Sequence, residues 1–233
     1  MNAIFYTITF FALHFNYSED YLQIFGDDYK NALTFVTKNK TKFVEVFEND
    51  SALIRTSISI VFPELIRYSM VRDFFETAVL ETFYVQYGSD AADFSIGSFQ
   101  MKPSFIEVIE QYAFDNNSST YQKISFASNF SEKEKRQERL NRLQEIKWQI
   151  LYLKIFIELY SEKEAMNQFP NSNDKIIYLA TAYNRGLNTS IAQLDLNKIL
   201  FKDKFFPYGL NYPGKQYSYA AIALDFYQNY KYD

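Results

Sequence analysis

Two glutamates in this chain stand in settings that suit acid–base chemistry. Glu64 follows the apolar run 58–63, which predicts that its carboxyl lies at the mouth of a buried helix. Glu81 shares one helical stripe with Ala78 and Val85, so it also faces apolar neighbours. Apolar surroundings raise the pKa of a carboxyl and let it hold a proton near neutral pH. Either glutamate is therefore a candidate general acid, as in the cleavage of a glycosidic bond.

The composition removes most other catalytic chemistries. The 233 residues include no cysteine, and the one histidine, His14, lies in an apolar N-terminal run. Thiol nucleophiles, Ser-His-Asp triads and zinc sites built on His or Cys are therefore excluded, which leaves carboxylates as acids and bases. The net charge of −4 and the lack of a basic cluster in the sequence argue against nucleic-acid binding.

Two turns downstream of the glutamates carry residues suited to a polar ligand. The helical period is lost between residues 93 and 103, where Gly97 would let the backbone approach a sugar closely. Gln100 in the same loop offers both a donor and an acceptor to hydroxyl or acetamido groups. The second turn carries Tyr183 and Asn184 at the end of a predicted helix, and Gly186 should stop that helix.

In chain order, these features resemble the lytic transglycosylases of the lysozyme-like superfamily. Those proteins show a glutamate at the end of a central helix, a G-x-x-Q loop continued by I-x-P, and an A-Y-N-x-G turn. This chain has Gly97-Ser98-Phe99-Gln100-Met101-Lys102-Pro103 and Ala182-Tyr183-Asn184-Arg185-Gly186. The resemblance covers residues from about 51 to 186. It departs from the family pattern at Arg185, where a small residue is usual.

The resemblance implies a set of site residues. Either Glu64 or Glu81 would be the catalytic acid. Substrate contacts would come from Ser95, Gly97, Phe99, Gln100, Tyr183 and Asn184, with Phe99 packed beneath the loop. The aromatic residue that the family carries on a C-terminal helix would be Tyr217 or Tyr219.

The choice between the two glutamates remains open at this level. Glu64 is favoured because it matches the family's position at the end of a central helix. Glu81 lies 19 residues before Gln100, a spacing close to that of transglycosylases, but Thr82 follows it where the family usually has serine. Glu64 lies 36 residues before Gln100, so it requires an inserted helix between them.

The function implied by the resemblance is cleavage of peptidoglycan between N-acetylmuramic acid and N-acetylglucosamine. A single glutamate would act as acid and then as base, and the product would be an anhydro-sugar. The alternatives are a muramidase-type hydrolase that uses a second carboxylate, Asp90 or Asp93, and a non-catalytic glycan-binding or envelope protein. An unrelated all-helical protein is a third alternative. The family needs no metal and no cofactor, and we expect a monomer that binds peptidoglycan strands.

The elements predicted to position these residues are almost all helices. We expect a mainly α, lysozyme-like domain of seven or eight helices with a substrate cleft and little or no sheet. The first helix should run from about 20 to 47, and Asp50 with Ser51 should cap the second. That second helix should end near Phe62, since proline disfavours helical backbone in the residue before it.

Later helix boundaries follow from caps and periodicity. We expect a helix from about 70 to 86 closed by Gly88, one helix from Ser131 through Ile157, and a last helix from 217 to 230.

The predicted domain organisation is one domain with an insertion. Residues 1–16 are either a signal peptide or a first buried element, because the apolar run Ala3–Phe15 lacks both a basic start and an A-x-A site. Residues 17–233 form the domain, and residues 105–167 are a helical insertion. With a signal peptide the protein is periplasmic or secreted; otherwise it is cytoplasmic. We expect no transmembrane helix in the mature chain, because no segment has the required length.

Overall fold

The first two helices begin where the sequence predicts them. The computed structural model describes residues 19–70, 77–116, 120–161, 169, 171–186, 195–207 and 214–230. Helix α1 spans Tyr21–Val46 and is kinked at Gly26, and helix α2 spans Ser51–Met70. Asp50 accepts a hydrogen bond from the Leu53 N–H at 2.9 Å, so its predicted role as a cap is confirmed.

Helix α2 does not end near Phe62, and that prediction is wrong. Pro63 lies inside the helix, and the helix continues to Met70. An internal proline costs about 3 kcal/mol through a lost hydrogen bond and a steric clash. Every residue from 57 to 66 is buried, however, and the burial of this long apolar stretch outweighs that cost. Glu64 is therefore an interior residue of α2 rather than its last.

The segment before the loop is helical and ends at a glycine. Helix α3 spans Thr77–Tyr87, and Gly88 adopts a φ of 91° while its N–H donates to the Tyr84 carbonyl at 2.7 Å. The predicted cap at Gly88 is thus confirmed. Helix α4, Pro103–Asp115, follows the loop and begins with proline at its first turn.

The predicted helix from Ser131 through Ile157 is two helices. After the short helix α5, Tyr121–Ile124, helix α6 spans Glu132–Gln144 and helix α7 spans Ile146–Ser161. The break is at Glu145, which is extended with φ −104° and ψ 124°. It lets α6 pack on α3 while α7 packs on α1 and α4. Apolar periodicity runs through both helices, so it could not reveal the break.

The C-terminal part combines three helices with a small antiparallel pair of strands. Helix α8 spans Ser172–Arg185, helix α9 spans Leu196–Phe201, and helix α10 spans Tyr219–Asn229. Strand β1, Lys204–Phe206, pairs with strand β2, Tyr217–Ser218. The last helix therefore begins at Tyr219, two residues after the predicted start at 217. Ten helices are described instead of seven or eight, because α5 and α9 are short and α6 and α7 are separate.

The described helices share one hydrophobic core, and the mainly α class predicted from the sequence is confirmed. Helix α2 is central and packs against α1, α8 and α10. Residues 105–167, predicted as an insertion, also contribute buried side chains such as Ile109, Leu153 and Phe156. Within the described ranges, no helix has the length and apolar character needed to cross a membrane. The predicted leader, residues 1–16, lies outside the described residues.

A buried arginine fixes the helix that follows the loop. Arg139 on α6 is paired with Glu110 at 2.6 Å and with Glu107 at 3.2 Å, both on α4. Tyr84 and Tyr152 complete this cluster by donating hydrogen bonds to Glu107 and Glu110 at 2.9 Å and 2.8 Å. Both carboxylates are thus paired with the buried guanidinium group and hydrogen-bonded by a tyrosine, and these contacts attach α4 to α6.

Candidate active site

A cleft of about 420 Å³ opens between α2, the loop before α4, the first turns of α4 and the end of α8. Five of the predicted site residues line it: Glu64, Ser95, Gln100, Tyr183 and Asn184. They come from segments far apart in sequence. Asp93, Lys102 and Arg185 add charge to the walls, and Phe105 and Val108 add an apolar surface.

Glu64 lies at the floor of this cleft, and its side chain is almost fully buried. The residue is 4% exposed, and Nη1 of Arg67 lies 3.1 Å from each carboxylate oxygen. Burial raises the pKa of Glu64 to about 7, and the positive charge of Arg67 partly opposes that rise. The result is a carboxyl that exchanges a proton near neutral pH, as a general acid requires.

The charge of Glu64 affects the hydroxyl pKa values of two tyrosines. Burial raises the pKa of the Tyr183 and Tyr219 hydroxyls well above the usual value, and the Glu64 carboxylate raises it further. The Tyr183 hydroxyl donates to the Phe99 carbonyl at 2.8 Å, and the Tyr219 hydroxyl donates to the Ile60 carbonyl at 2.9 Å. Each tyrosine therefore ties its helix to the backbone of a cleft wall.

Of the two C-terminal tyrosines named from the sequence, Tyr219 is the one whose hydroxyl pKa is raised by the charge of Glu64. Tyr217 instead packs edge-on against Tyr21 and Phe25. The abundance of tyrosine in this chain hid that difference at the level of sequence.

The loop before α4 is held in a closed, hydrogen-bonded form. Ile96 and Met101 form an isolated antiparallel bridge, and Gln100 between them adopts a φ of 51°. The Gln100 side-chain amide donates to the Gly97 carbonyl at 2.8 Å. Asp93 accepts a hydrogen bond from the Ser104 N–H at 3.1 Å and so caps α4. Gln100 thus faces the cleft, with its amide nitrogen bonded within its own loop.

Two of the predicted substrate contacts, Gly97 and Phe99, are not among the described residues that line the cleft. A Cβ on Gly97 would lie 2.0 Å from Nε2 of Gln149, so the backbone approaches this buried side chain of α7 closely. Phe99 is fully buried and packs against Phe35 and Phe43, which accounts for its expected position beneath the loop.

Gln149 is a residue that sequence reasoning missed. Its carbonyl oxygen accepts from the Phe99 N–H at 2.8 Å, and its amide donates to the Leu143 carbonyl at 2.8 Å. It is 1% exposed, so both bonds are shielded from water. The signal in the sequence is a polar residue in the mostly apolar α7, but this helix also carries two lysines and a glutamate, so the pattern does not single out Gln149 or show what it binds.

The structure does not bring Glu81 to the cleft. Its Oε1 accepts a hydrogen bond from Nε2 of Gln144 on α6 at 3.3 Å, and Glu81 is absent from the cleft lining among the described residues. The loop residues that line the cleft meet Glu64 of α2 and Tyr183 of α8 there, whereas Glu81 contacts α6.

No protein-family model matches the sequence, and comparisons with curated proteins and with solved structures also found no match. In the described part of the chain, no cluster of three or more carboxylate, histidine or cysteine side chains could hold a metal ion. The chemistry that the cleft residues can perform is proton transfer from a buried carboxyl to a polar ligand.

Proposed function

We propose that this protein is a lytic transglycosylase that cleaves peptidoglycan between N-acetylmuramic acid and N-acetylglucosamine, with Glu64 as acid and then base. The observation that carries the proposal is the buried Glu64 carboxyl, with a pKa raised to about 7, in one cleft with Gln100 and Tyr183. Glycoside cleavage needs a proton donor of this kind at the leaving oxygen.

The proposed reaction needs no second carboxylate. Protonated Glu64 gives its proton to the glycosidic oxygen, and the acetamido carbonyl of the N-acetylmuramic acid attacks C1 as the bond to that oxygen breaks. The Glu64 carboxylate then takes the proton of the C6 hydroxyl, whose oxygen attacks C1 and releases the acetamido group. The product is a 1,6-anhydro sugar, and Glu64 is protonated again.

The other cleft residues would orient the sugar. The carbonyl oxygen of Gln100 can accept a hydrogen bond from a hydroxyl or acetamido N–H, since its amide nitrogen is bonded to Gly97. The exposed Asn184 offers a second amide. Phe105 and Val108 supply an apolar wall for a sugar face. The activity requires access to the cell wall, and we therefore propose a periplasmic or secreted location.

A muramidase-type hydrolase is the second candidate, because Asp93 lies in the same cleft. Its two oxygens are engaged, however, by the Ser104 N–H at 3.1 Å and by the Lys102 ammonium group at 3.5 Å. A carboxylate that caps a helix and pairs with a lysine is less available to hold a water, and this favours the reaction with one carboxylate.

The test is digestion of purified peptidoglycan by wild type, Glu64→Gln and Glu81→Gln, with products resolved by mass spectrometry. The two variants make the same chemical change, one inside and one outside the cleft. We expect anhydro-muropeptides from wild type and Glu81→Gln, and a loss of at least about 100-fold in Glu64→Gln, because removing a general acid costs that much.

Other outcomes would contradict the proposal in different ways. Products with reducing ends would indicate the hydrolase. Loss of activity in Glu81→Gln alone would show that Glu81 on α3, and not Glu64, is the acid. Binding of glycan by folded wild type without any release would indicate a non-catalytic protein.

A further inference from the structure

A second cavity adjoins the candidate active-site cleft. It measures about 180 Å³ and lies between the end of α8, helix α9, strand β1 and the start of α10. Three residues line both spaces and form the boundary between them: Arg67, Asn184 and Arg185. Among the described lining residues, Glu64 belongs to the cleft alone. The second cavity is therefore a side space next to the proposed acid, and a branch of a ligand bound in the cleft would enter it past these boundary residues.

The lining of the second cavity combines apolar surface with one charge of each sign. Ile199 and the partly exposed Phe205 supply the apolar surface, and neither of them lines the cleft. Arg185 and Asp203 supply the two charges. A small site of this kind, apolar with a few polar groups, suits a compact organic group that carries a charge.

Arg185 can bind a further carboxylate without leaving its present partner. Its ion pair with Asp203 is made by Nη2, one of three guanidinium nitrogens. A guanidinium group has five N–H donors in a planar fork, so it can hold two carboxylates at different edges. The Arg185 side chain is 42% exposed, which leaves it accessible to a ligand, and Asp203 helps to fix its orientation.

Arg185 also marks the departure from the resembling family, which usually has a small residue at this position. A small residue here would remove one of the two guanidinium groups at the boundary between the cleft and the second cavity. Recognition of a ligand by Arg185 would therefore be a property of this chain, and the resemblance does not imply it.

We propose that the second cavity binds the peptide branch of a peptidoglycan strand, and that Arg185 binds a carboxylate of this peptide. The inference rests on the proposed function and names a further part of its substrate. The N-acetylmuramic acid ring attacked at C1 carries a short peptide, joined to its lactyl group by an amide bond. In a peptide that is not cross-linked, the C-terminal carboxylate is free, so muropeptides contain the group that Arg185 would bind.

The remaining residues of the cavity fit other parts of such a peptide. Its alanine methyl groups can pack against Phe205, and its amide groups can form hydrogen bonds with the exposed side chain of Asn184. A strand without peptides would leave the second cavity empty. The protein should therefore bind strands that carry peptides more tightly than strands from which the peptides have been removed.

The test is isothermal titration calorimetry with two soluble probes. One is N-acetylglucosaminyl-N-acetylmuramoyl tetrapeptide, and the other is the same disaccharide without the peptide. The second probe has a free lactyl carboxylate, so it also tests whether a carboxylate on the sugar is sufficient. We expect wild type to bind the first probe about tenfold more tightly or better, because a charged hydrogen bond contributes that much.

Variants separate the second cavity from the cleft. Arg185→Gln and Phe205→Ala should each lose most of the preference for the peptide-bearing probe, and Phe205 does not line the cleft. Arg185→Lys keeps the charge but has no second edge once it is paired with Asp203, so it should also lose most of the preference.

Two controls match these changes. Lys102→Gln removes another cation of the cleft, one that is paired with Asp93, and should keep the preference. Phe114→Ala removes a ring that is 59% exposed on α4 and is absent from the described lining of both spaces, so it should keep the preference too. Far-UV circular dichroism of every variant verifies that it is folded.

The outcomes distinguish this inference from the proposed function. Equal affinities of wild type for the two probes, or no binding of the peptide-bearing probe, would overturn the inference. An unchanged preference in folded Arg185→Gln or Phe205→Ala would also overturn it. So would an equal loss of affinity for both probes in Arg185→Gln, because Arg185 would then contact the disaccharide.

Digestion of peptidoglycan is the independent readout. If Glu64-dependent anhydro-muropeptides are released although the inference is overturned, the proposed function stands without it. If the preference is found as expected but nothing is cleaved, the second cavity recognises the peptide in a protein that is not a transglycosylase.

Discussion

Two opposing influences act on the carboxyl of Glu64. Burial in α2 disfavours the charged form, and Arg67 one turn later favours it. Because burial is the larger cause, the pKa lies at about 7 and not near the ordinary 4.5. The resulting pKa predicts how the cleavage rate and the free energy of unfolding each depend on pH.

The first prediction concerns the pH dependence of cleavage. Only protonated Glu64 can donate, so kcat/KM on peptidoglycan should fall as pH rises through about 7, by about tenfold for each further pH unit. Steady-state rates from pH 5 to pH 9 measure this. Asp93→Asn should keep the same alkaline limb. A rate that remains constant up to pH 9 would show that Glu64 is not the acid.

The second prediction concerns stability and needs no substrate. The folded-state pKa of about 7 lies above the ordinary 4.5, so both states hold the proton below pH 4.5, and the unfolded state loses it first as pH rises. Glu64 therefore stabilises the fold at low pH, and this contribution is lost between pH 4.5 and about 7. The interval corresponds to roughly 3 kcal/mol. The amide side chain in Glu64→Gln does not ionise, so the variant does not lose this contribution to the free energy of unfolding as pH rises.

The measurement is urea unfolding at pH 4.5 and pH 8. The free energy of unfolding of Glu64→Gln minus that of wild type should increase by up to roughly 3 kcal/mol between these two values. Glu81→Gln is the control and should show no comparable increase. Parallel pH dependence in wild type and Glu64→Gln would contradict a raised pKa.

At the scale of elements, the cleft depends on how the loop before α4 is attached to its neighbours. The side-chain oxygen of Gln149 on α7 accepts a hydrogen bond from the Phe99 N–H, and the Tyr183 hydroxyl on α8 donates one to the Phe99 carbonyl. Both sides of one peptide segment are thus held by side chains from different helices. The absence of a side chain at Gly97 permits the first of these contacts.

The third prediction therefore concerns Gly97→Ala. The new Cβ would lie 2.0 Å from Nε2 of Gln149 and 2.5 Å from the Leu143 carbonyl oxygen, and a backbone atom cannot move away cheaply. We expect a loss of about 2–4 kcal/mol in the free energy of unfolding, measured by urea denaturation.

Gly88→Ala is the matched control. Gly88 has a positive φ of 91°, as Gly97 has one of 70°, but a Cβ on Gly88 would meet only the end of the Arg136 side chain at 3.6 Å. It should lose about 1 kcal/mol from backbone strain alone. Equal losses in the two variants would show that the contact with Gln149 is unimportant.

At the scale of the whole molecule, the described helices between residues 105 and 161 contribute side chains to the common hydrophobic core. Helix α7 packs against α1, α2 and α4, and Leu153 and Phe156 on it are fully buried. Through α4 and the loop, this helix also supports one wall of the cleft. We therefore expect the described helices to unfold together.

The fourth prediction tests this with the single tryptophan, Trp148, which lies in α7. Unfolding followed by Trp148 fluorescence should coincide with unfolding followed by far-UV circular dichroism. Leu153→Ala should lower stability by about 2–5 kcal/mol and shift both curves together, because it empties a fully buried site.

Leu22→Ala, at a residue 46% exposed on α1, is the control and should cost less than about 1 kcal/mol. Two separate transitions, with only the fluorescence shifted by Leu153→Ala, would indicate an independent inserted domain.

Local features of the structure were largely predictable from the sequence. The cap at Asp50, the helix start at Ser131 and the stop at Gly88 are where expected, because each depends on one residue and the few backbone groups beside it. The buried setting of Glu64 was also predictable, since it follows from the apolar residues directly before it.

Only the tertiary structure decided which of these residues meet. Pro63 stays within α2 because other helices pack against α2 and the segment around Pro63 is buried, and Glu81 contacts Gln144 on α6 instead of lining the cleft. The pairing of Gly97 with Gln149 joins residues from separate elements. Such contacts depend on the faces that distant helices present to one another, and sequence periodicity specifies a buried face but not its partner.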